Sequence, residues 1–241
     1  MSGHSKWSGI KHKKTLIDIK KGKIFTKIIR EIIIATKNGG PKVDNNARLR
    51  NAIECAKEVN MPRENIKKAI ARGNGKLDGN MPYTEIIYEG YGPGGIAIII
   101  EIITDNKNRT IANLRKIFAK HKGSIVESGG VSWLFDKKGQ LIISKTTINE
   151  ENILNMALEF NAEDCISNGN TYKIIIEPSQ LEIFKNYLKD QNLNLISAKI
   201  IMVPKNKLII NDDNNNKALQ LLNELKEYDD VKNIYTNLFI Q

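Results

Sequence analysis

The chain has 241 residues, and 41% of them are hydrophobic, which suffices for packed cores and excludes a disordered chain. No apolar run approaches the roughly 20 residues of a membrane helix, and no secretory signal is recognisable, so we expect a cytoplasmic protein without a membrane partner. The net charge is +10, but residues 1–80 hold 19 Lys and Arg against 7 Asp and Glu (+12), whereas residues 81–241 hold 18 against 20 (−2). This asymmetry predicts a polyanionic partner for the first third of the chain.

The first segment of interest is GHSKWSGIKHKK, residues 3–14, which contains four lysines, two histidines and a tryptophan. It is either a solvated tail or a nucleic-acid-binding arm, and we favour the arm because a tail needs no tryptophan. Lysines there would neutralise phosphates and release counterions, and Trp7 can either stack on a base or lie along a groove. We expect a flexible arm with these binding residues in it and in the following helix: Lys6, Trp7, Lys11, His12, Lys13, Lys14, Lys20, Lys21, Lys23, Lys27 and Arg30.

Three helices are predicted next. Apolar residues recur at helical spacing over residues 20–37, NGGP ends that helix, and a second helix is expected over 44–60. Pro62 suits the first turn of a third helix, which Gly73 ends. Further binding candidates are the basic residues Arg48, Arg50, Arg63, Lys67, Lys68 and Arg72. If the target is duplex DNA, the side chains of the second helix that could contact base edges are Asn45, Asn46, Arg48, Arg50 and Asn51.

Two polar motifs lie in the strand-rich part that follows residue 80. GYGPGG, residues 90–95, has dinucleotide-binding glycine spacing, but a strand-like run follows it, so we interpret it as a tight turn and an exposed contact loop. TDNKNRT, residues 104–110, precedes a helix and either caps it through Asp105 or Asn108 or has a functional role. The possible contact loop comprises Tyr91, Gly92, Pro93, Gly94 and Arg109.

The remaining pattern predicts an α+β fold: an N-terminal three-helix domain plus two ferredoxin-like α/β domains, the third inserted into the second. GGVSWLF, residues 129–135, is expected to be a strand, and residues 138–204 have the order βαββαβ. A short strand over 207–210, a helix and a last strand complete the interrupted domain. The predicted domains are therefore residues 1–80, residues 81–137 with 205–241, and residues 138–204.

Catalytic and metal chemistry are not indicated. Carboxylates are scattered, no nucleophile has a local partner, and only His121 lies beyond the arm, where we expect it to favour a helix C-terminus. Cys55 and Cys165 predict reduced, buried thiols, and with so few histidines we expect no metal site. We therefore expect no enzyme, no cofactor and no small-molecule substrate. The acidic helix near residues 212–230 is either a solvated face or a docking surface.

The motifs together are similar to those of the YebC/PmpR family. The similarity is carried by GHSKW, IKHKK, KGKIFTKIIREI, DNNARLRNAIECAKEVNMPRENIKKAIARG, YEGYGPGG, TDNKNRT and GGVSWLF, in that order, and it covers essentially the whole chain. It implies a helical domain, two α/β domains with one inserted in the other, and no catalytic residues. Ser2 and Ser8 stand where the family commonly has alanine.

The resemblance implies two competing functions. One is a cytoplasmic, DNA-binding transcriptional regulator that uses the basic arm and helical domain. The other is a ribosome- or RNA-binding translation factor that relieves stalling, as implied by the family's mitochondrial translational activator. We predict a nucleic-acid-binding regulator of gene expression. DNA-binding regulation of transcription is the first hypothesis, and binding to the ribosome or ribosomal RNA is the alternative.

Overall fold

A computed structural model describes residues 4–76 and 83–239, with side chains from residue 21 onward. Three helices come first: α1 spans His4–Gly39, α2 Ala47–Glu58 and α3 Arg63–Gly73. The prediction of a flexible arm before the first helix is wrong, because the backbone is helical from His4. No proline interrupts residues 4–39, and the nine lysines in this segment favour helix.

The three helices share one apolar core. Ile32 and Ile33 of α1 pack with Leu49 and Ala52 of α2 and with Ile66 of α3. Asn46 fixes the turn between α1 and α2: its side chain accepts a hydrogen bond from the Leu49 N–H and donates to the carbonyls of Ala35 and Gly40. The helical periodicity read from the sequence therefore corresponds to a packed helical layer.

The first sheet contains β1 Thr84–Tyr91, β2 Ala97–Thr104, β3 Ser124–Val126 and β8 Val231–Thr236, in the order β3-β1-β2-β8. Helix α4, Lys107–Lys120, connects β2 to β3, and α7, Asp212–Glu227, precedes β8. All of β2 except Glu101 is buried, as its apolar run predicts for a central strand. β1 lies between β3 and β2 and pairs with both of them.

The second sheet contains β4 Phe135–Ser144, β5 Asp164–Asn168, β6 Thr171–Ile176 and β7 Leu195–Pro204, in the order β5-β6-β4-β7. Helices α5, Glu150–Glu159, and α6, Leu181–Asp190, supply the rest of the βαββαβ unit. Its core joins Leu141, Ile174 and Phe184, and the Phe184 ring stacks on Phe160 with 4.3 Å between centroids. The predicted ferredoxin-like order is therefore observed.

The chain divides into two compact units. Unit 1 comprises residues 1–128 and 211–234, and unit 2 comprises residues 129–210 and 235–241. The α+β class with helices followed by two four-stranded sheets is confirmed. The exact boundaries of three domains at residues 80, 137 and 205 remain a prediction.

Three local predictions are wrong. GGVSWLF is not a strand, because Gly129 has φ +92° and Ser132–Leu134 form a 3₁₀ turn; β4 begins only at Phe135. Residues 207–210 form no strand, because β1 occupies the place in the first sheet for which that strand was needed; only Leu208 makes a bridge, to Leu238. Cys55 is exposed, because it lies off the packed face of α2, and Cys165 is only half-buried, where it packs against the core of unit 2.

Candidate nucleic-acid interface

Helix α3 presents a basic face to solvent. Arg63, Lys68 and Arg72 are exposed, and their side chains contact no acceptor among the described residues, while Lys67 pairs with Glu64 at 3.0 Å. The opposite face is buried through Ile66 and Ala69. These three cations therefore remain available to an external anion.

The end of α3 is held against α1 by a close backbone approach. A Cβ atom at Gly73 would lie 2.6 Å from the carbonyl oxygen of Ile33, so only glycine fits there without displacement. The position and tilt of the basic face are thus set by the helical core, because the helix that carries it cannot move away from α1 without opening that contact.

The middle of α1 is also basic, but its cations bind the end of α7. Lys23 Nζ lies 2.8 Å from Glu227 Oε2, and Lys27 Nζ lies 2.8 Å from the carbonyl oxygen of Lys226. Cations at a helix C-terminus satisfy its unpaired carbonyls and its dipole. Burial lowers the pKa of Lys27, although Asp229 and Glu227 oppose that effect.

Arg30, one turn further along α1, binds a buried carboxylate. Its Nη1 lies 2.9 Å from Asp230 Oδ1 and also donates to the Asp229 carbonyl. The Asp230 side chain is only 4% exposed and accepts hydrogen bonds from the hydroxyls of Thr104 and Thr110, at 3.1 and 2.7 Å. Arg30 is therefore a structural partner of Asp230 in this conformation.

The Asp230 carboxylate is stabilised in its charged form. Burial alone would raise the pKa of Asp230, but the Thr110 hydrogen bond, the Arg30 charge and the Thr104 hydrogen bond outweigh it and hold the pKa below its ordinary value. Through these contacts the Asp230 carboxylate connects α1 with the end of β2 and the start of α4. Asp230 is a position that the sequence analysis did not single out for this role.

A second charge cluster connects α1 and α2 to the first sheet. Arg48 bridges Glu31 and Glu85, with Nε 2.6 Å from Glu31 Oε1 and Nη2 2.5 Å from Glu85 Oε1. Lys232 of β8 lies 3.0 Å from Glu31. Burial would raise the pKa of Glu31, but the Arg48 hydrogen bonds and the Lys232 charge lower it overall; the Arg48 hydrogen bonds also lower the pKa of Glu85.

The remaining basic residues of α1 and α2 differ in availability. Arg50 donates to the carbonyls of Val43 and Asp44, at 3.2 and 3.3 Å, within the loop before α2. Lys21 is exposed, with Nζ 5.5 Å from the centroid of the Phe25 ring. The α2 side chains expected to read bases are largely occupied, because Asn46 is a buried cap and Arg48 and Arg50 have internal acceptors.

Seven of the predicted binding residues lie outside the described side chains. For that part of α1 the structure gives the backbone, which is helical from His4. These predictions therefore stand on the sequence, and the residues are Lys6, Trp7, Lys11, His12, Lys13, Lys14 and Lys20.

The GYGPGG motif forms the turn between β1 and β2. Pro93–Gly95 make a 3₁₀ turn closed by the Gly92 N–H donating to the Ile96 carbonyl at 2.8 Å. Gly94 and Gly95 have φ values of +71° and +79°, which favour glycine. A strand, not a helix, follows, so the tight-turn interpretation holds. Gly92 and Pro93 are buried, which leaves the two later glycines as the exposed tip.

The TDNKNRT motif caps α4 and supports Asp230. The cap is Asn106, whose side chain accepts from the Arg109 N–H, so Asp105 and Asn108 were the wrong candidates for this bond. Arg109 Nη2 lies 2.5 Å from Asp105 and 3.6 Å from Asp230. Thr104 and Thr110 hold the Asp230 carboxylate. The motif therefore serves the fold of unit 1, while Arg109 keeps about half of its side chain exposed.

The acidic helix α7 binds partners within its own unit. Glu224 lies 2.8 Å from Lys120 Nζ and 2.7 Å from His121 Nε2, and Glu227 binds Lys23. The interpretation as a solvated acidic face is therefore incomplete, because its carboxyl end is occupied by the basic helices.

Metal ligation and membrane insertion find no support in the described part of the chain. Among the described side chains, those of residues 21–76 and 83–239, no three from His, Cys, Asp or Glu are grouped as a metal ion requires. Within residues 4–76 and 83–239, every helix is too short or too polar to cross a bilayer.

Comparison with known proteins identifies the family. The model "TACO1/YebC protein N-terminal domain" matches residues 5–76, and "TACO1/YebC second and third domain" matches residues 83–238. A "Probable transcriptional regulatory protein" of Endomicrobium trichonymphae is 51% identical over 100% of this chain and 96% of its own. Its namesake in Dictyoglomus thermophilum is 48% identical at the same coverage.

A solved structure agrees with the fold. The crystal structure of the conserved hypothetical protein Aq1575 from Aquifex aeolicus superposes with a TM-score of 0.84, at 41% identity, and covers 93% of each chain. The family models and the full-length relatives carry the similarity through both the helical layer and the two sheets. The chain therefore belongs to the TACO1/YebC family.

Proposed function

We propose that the protein is a nucleic-acid-binding regulator of gene expression whose target is duplex DNA. The observation that carries the proposal is the exposed basic face of α3, whose cations have no acceptor among the described residues. They are Arg63, Lys68 and Arg72, in the third of the chain that holds all the excess positive charge. The names of the full-length relatives, "Probable transcriptional regulatory protein", support regulation of transcription.

The mode of binding follows from the available side chains. Lysine and arginine on a rigid helix bind phosphates and position a protein on the duplex, and such contacts carry no direct sequence information. The amino-terminal segment adds further lysines next to this helical layer in sequence. Because Asn46, Arg48 and Arg50 of α2 have internal partners, we expect strong salt dependence and weak base-specific reading by α2.

Fluorescence anisotropy of labelled duplex DNA at several salt concentrations tests the proposal. Neutralising the α3 face with Arg63→Gln, Lys68→Gln and Arg72→Gln removes three phosphate contacts. The slope of log affinity against log salt should become shallower by about 2.7, at about 0.9 per contact.

A matched control carries the same loss of charge elsewhere in unit 1. Lys107→Gln, Arg115→Gln and Lys116→Gln neutralise three exposed residues of α4 and should leave the slope nearly unchanged. Equal effects of the two triple variants would show that net charge alone drives binding and would contradict the α3 interface. Tighter binding to a folded RNA than to duplex DNA at the same salt would contradict the DNA target.

A further inference from the structure

Unit 2 carries a tryptophan that its core does not use. Trp133 is 63% exposed, in the 3₁₀ turn just before β4. Its indole N–H donates to the carbonyl oxygen of Gly130 at 3.1 Å, so the ring has a preferred orientation although most of its surface faces solvent. A large aromatic ring that is oriented but unburied is typical of binding surfaces.

A basic residue, Lys205, lies directly after the neighbouring strand β7 and opposite the segment that carries Trp133. Phe135 of β4 pairs with Pro204 of β7, and the Lys205 N–H donates to the Leu134 carbonyl at 2.9 Å. Lys205 is therefore hydrogen-bonded, through its backbone N–H, to the residue that directly follows Trp133. Lys205 Nζ lies 3.7 Å from Asp136, and about half of its side chain is exposed.

A second exposed aromatic ring lies beside the same segment. Leu208 bridges to Leu238, and the Leu208 N–H donates to the Asn237 carbonyl at 2.7 Å. This pairing brings Lys207 to Phe239, with Nζ 4.6 Å from the ring centroid, and Phe239 is 38% exposed. We name Trp133, Lys205, Lys207 and Phe239 the Trp133 patch.

The positive charge of unit 2 is concentrated around this patch. The three segments 133–138, 205–210 and 235–239 contain four lysines and one aspartate, a net +3. The intervening residues 139–204 contain five lysines and eight Asp or Glu, a net −3. The local excess of cations beside exposed rings therefore complements an anionic, aromatic ligand.

We propose that the Trp133 patch binds single-stranded nucleic acid, with bases stacking on Trp133 and Phe239 and with Lys205 and Lys207 binding phosphates. Stacking platforms next to cations are the usual means of binding unpaired strands, whose bases expose their faces. A duplex hides those faces, so this patch differs in ligand from the α3 face. The inference rests on the proposed function, since it adds a second nucleic-acid contact to the same protein.

Tryptophan fluorescence tests the patch directly in the full-length chain. Trp7→Phe leaves Trp133 as the only tryptophan, since the chain has two. Titration with a thymidine homopolymer should quench the emission saturably. Trp133→Ala should weaken binding of that oligonucleotide by about 5- to 150-fold, whereas Trp133→Phe should retain most of the affinity. Leu158→Ala, which removes another exposed apolar side chain of unit 2, should leave it unchanged.

Two outcomes would overturn the patch. Unquenched emission with unchanged affinity in Trp133→Ala would show that the ring contacts no base. Equal quenching by a glutamate homopolymer would show that charge alone, or an acidic protein segment, is what the patch binds. In both cases, duplex binding that remains sensitive to the α3 variants would leave the proposed function intact, whereas insensitivity to them would remove both.

Discussion

Helices α1 and α3 carry similar stripes of basic residues, but the α1 stripe binds acceptors within its own unit and the α3 stripe is exposed to solvent. Lys23, Lys27 and Arg30 recur along one face of α1 and bind the carboxyl end of α7 and the buried Asp230. Arg63, Lys68 and Arg72 recur along α3 and remain exposed without acceptors among the described residues. The difference teaches that a basic helical stripe indicates a binding face only where no acidic element of the same chain covers it.

The same comparison separates stability from binding. The α1 face acts through a desolvated carboxylate and helix-terminal carbonyls, so its removal should change the free energy of unfolding. The α3 face is solvated and should contribute little to folding, because exposed charges contribute little to stability. Variants of the two faces should therefore differ in which measurement they alter.

The largest expected effect is on stability, from Asp230→Ala. The substitution leaves the mostly buried Arg30 without its carboxylate partner and removes one acceptor of the Thr104 and Thr110 hydroxyls. We expect a loss of about 3–5 kcal/mol in the free energy of unfolding of unit 1, measured by urea titration. Asp213→Ala, which removes an exposed α7 carboxylate paired with Lys217, is the control and should cost at most about 1 kcal/mol. Similar losses in both variants would contradict a special role for Asp230.

Acid should loosen the attachment of the helices to the first sheet. Glu31 and Glu85 have lowered pKa values in the folded state, so their contribution is complete above the ordinary glutamate pKa of about 4.3 and is lost as pH falls through their lower folded values. We expect a loss of roughly 1–2 kcal/mol, allowing for solvent screening at the more exposed Glu85. Urea titrations below pH 5 measure it.

The charged groups of this cluster determine which variant tests the acid dependence and which serves as the control. Arg48 of α2 and Lys232 of β8 are the cations, and Glu31 and Glu85 come from α1 and β1. Glu31→Gln should flatten the acid dependence, whereas Glu54→Gln, at an exposed carboxyl of α2, should preserve it. An acid dependence that Glu31→Gln leaves unchanged would place the responsible carboxylates elsewhere.

A small effect is expected from Lys23→Gln. The pair with Glu227 is partly exposed, with 38% and 65% of the side chains accessible, and the hydrogen bond to Glu227 raises the pKa of Lys23. Exposed ion pairs and helix-terminal charges each contribute about 1 kcal/mol or less. Thermal unfolding should shift slightly at low salt, and the shift should shrink as salt rises. A salt-independent loss would indicate a packing role for the Lys23 side chain.

Much of the fold could be predicted from periodicity, and its exceptions have physical causes. The α1 stripe, the buried run of β2 and the βαββαβ order of unit 2 all follow from apolar spacing. Strand pairing did not follow, because whether residues 84–91 or 207–210 complete the first sheet depends on contacts distant in sequence. GGVSWLF resembled a strand because an apolar run does not reveal the positive φ of Gly129.

The sequence predicted which residues of the candidate site are basic, but it did not predict which of them form ion pairs within the fold. The sequence shows which residues are basic, and it identified the α3 cations. It did not show that Asp230 binds Arg30 across 200 residues of chain, or that Glu31 and Glu85 share Arg48. Ion pairs between distant segments depend on the tertiary fold, so local spacing does not predict them.

The most direct test compares the two faces with equal loss of charge. Lys68→Gln with Arg72→Gln is set against Lys23→Gln with Lys27→Gln, and the affinity for duplex DNA is measured at several salt concentrations. The α3 pair should make the slope of log affinity against log salt shallower by about 1.8, and the α1 pair should change it by less than half as much. Equal changes, or a larger change from the α1 pair, would contradict the assignment of the DNA-binding face to α3.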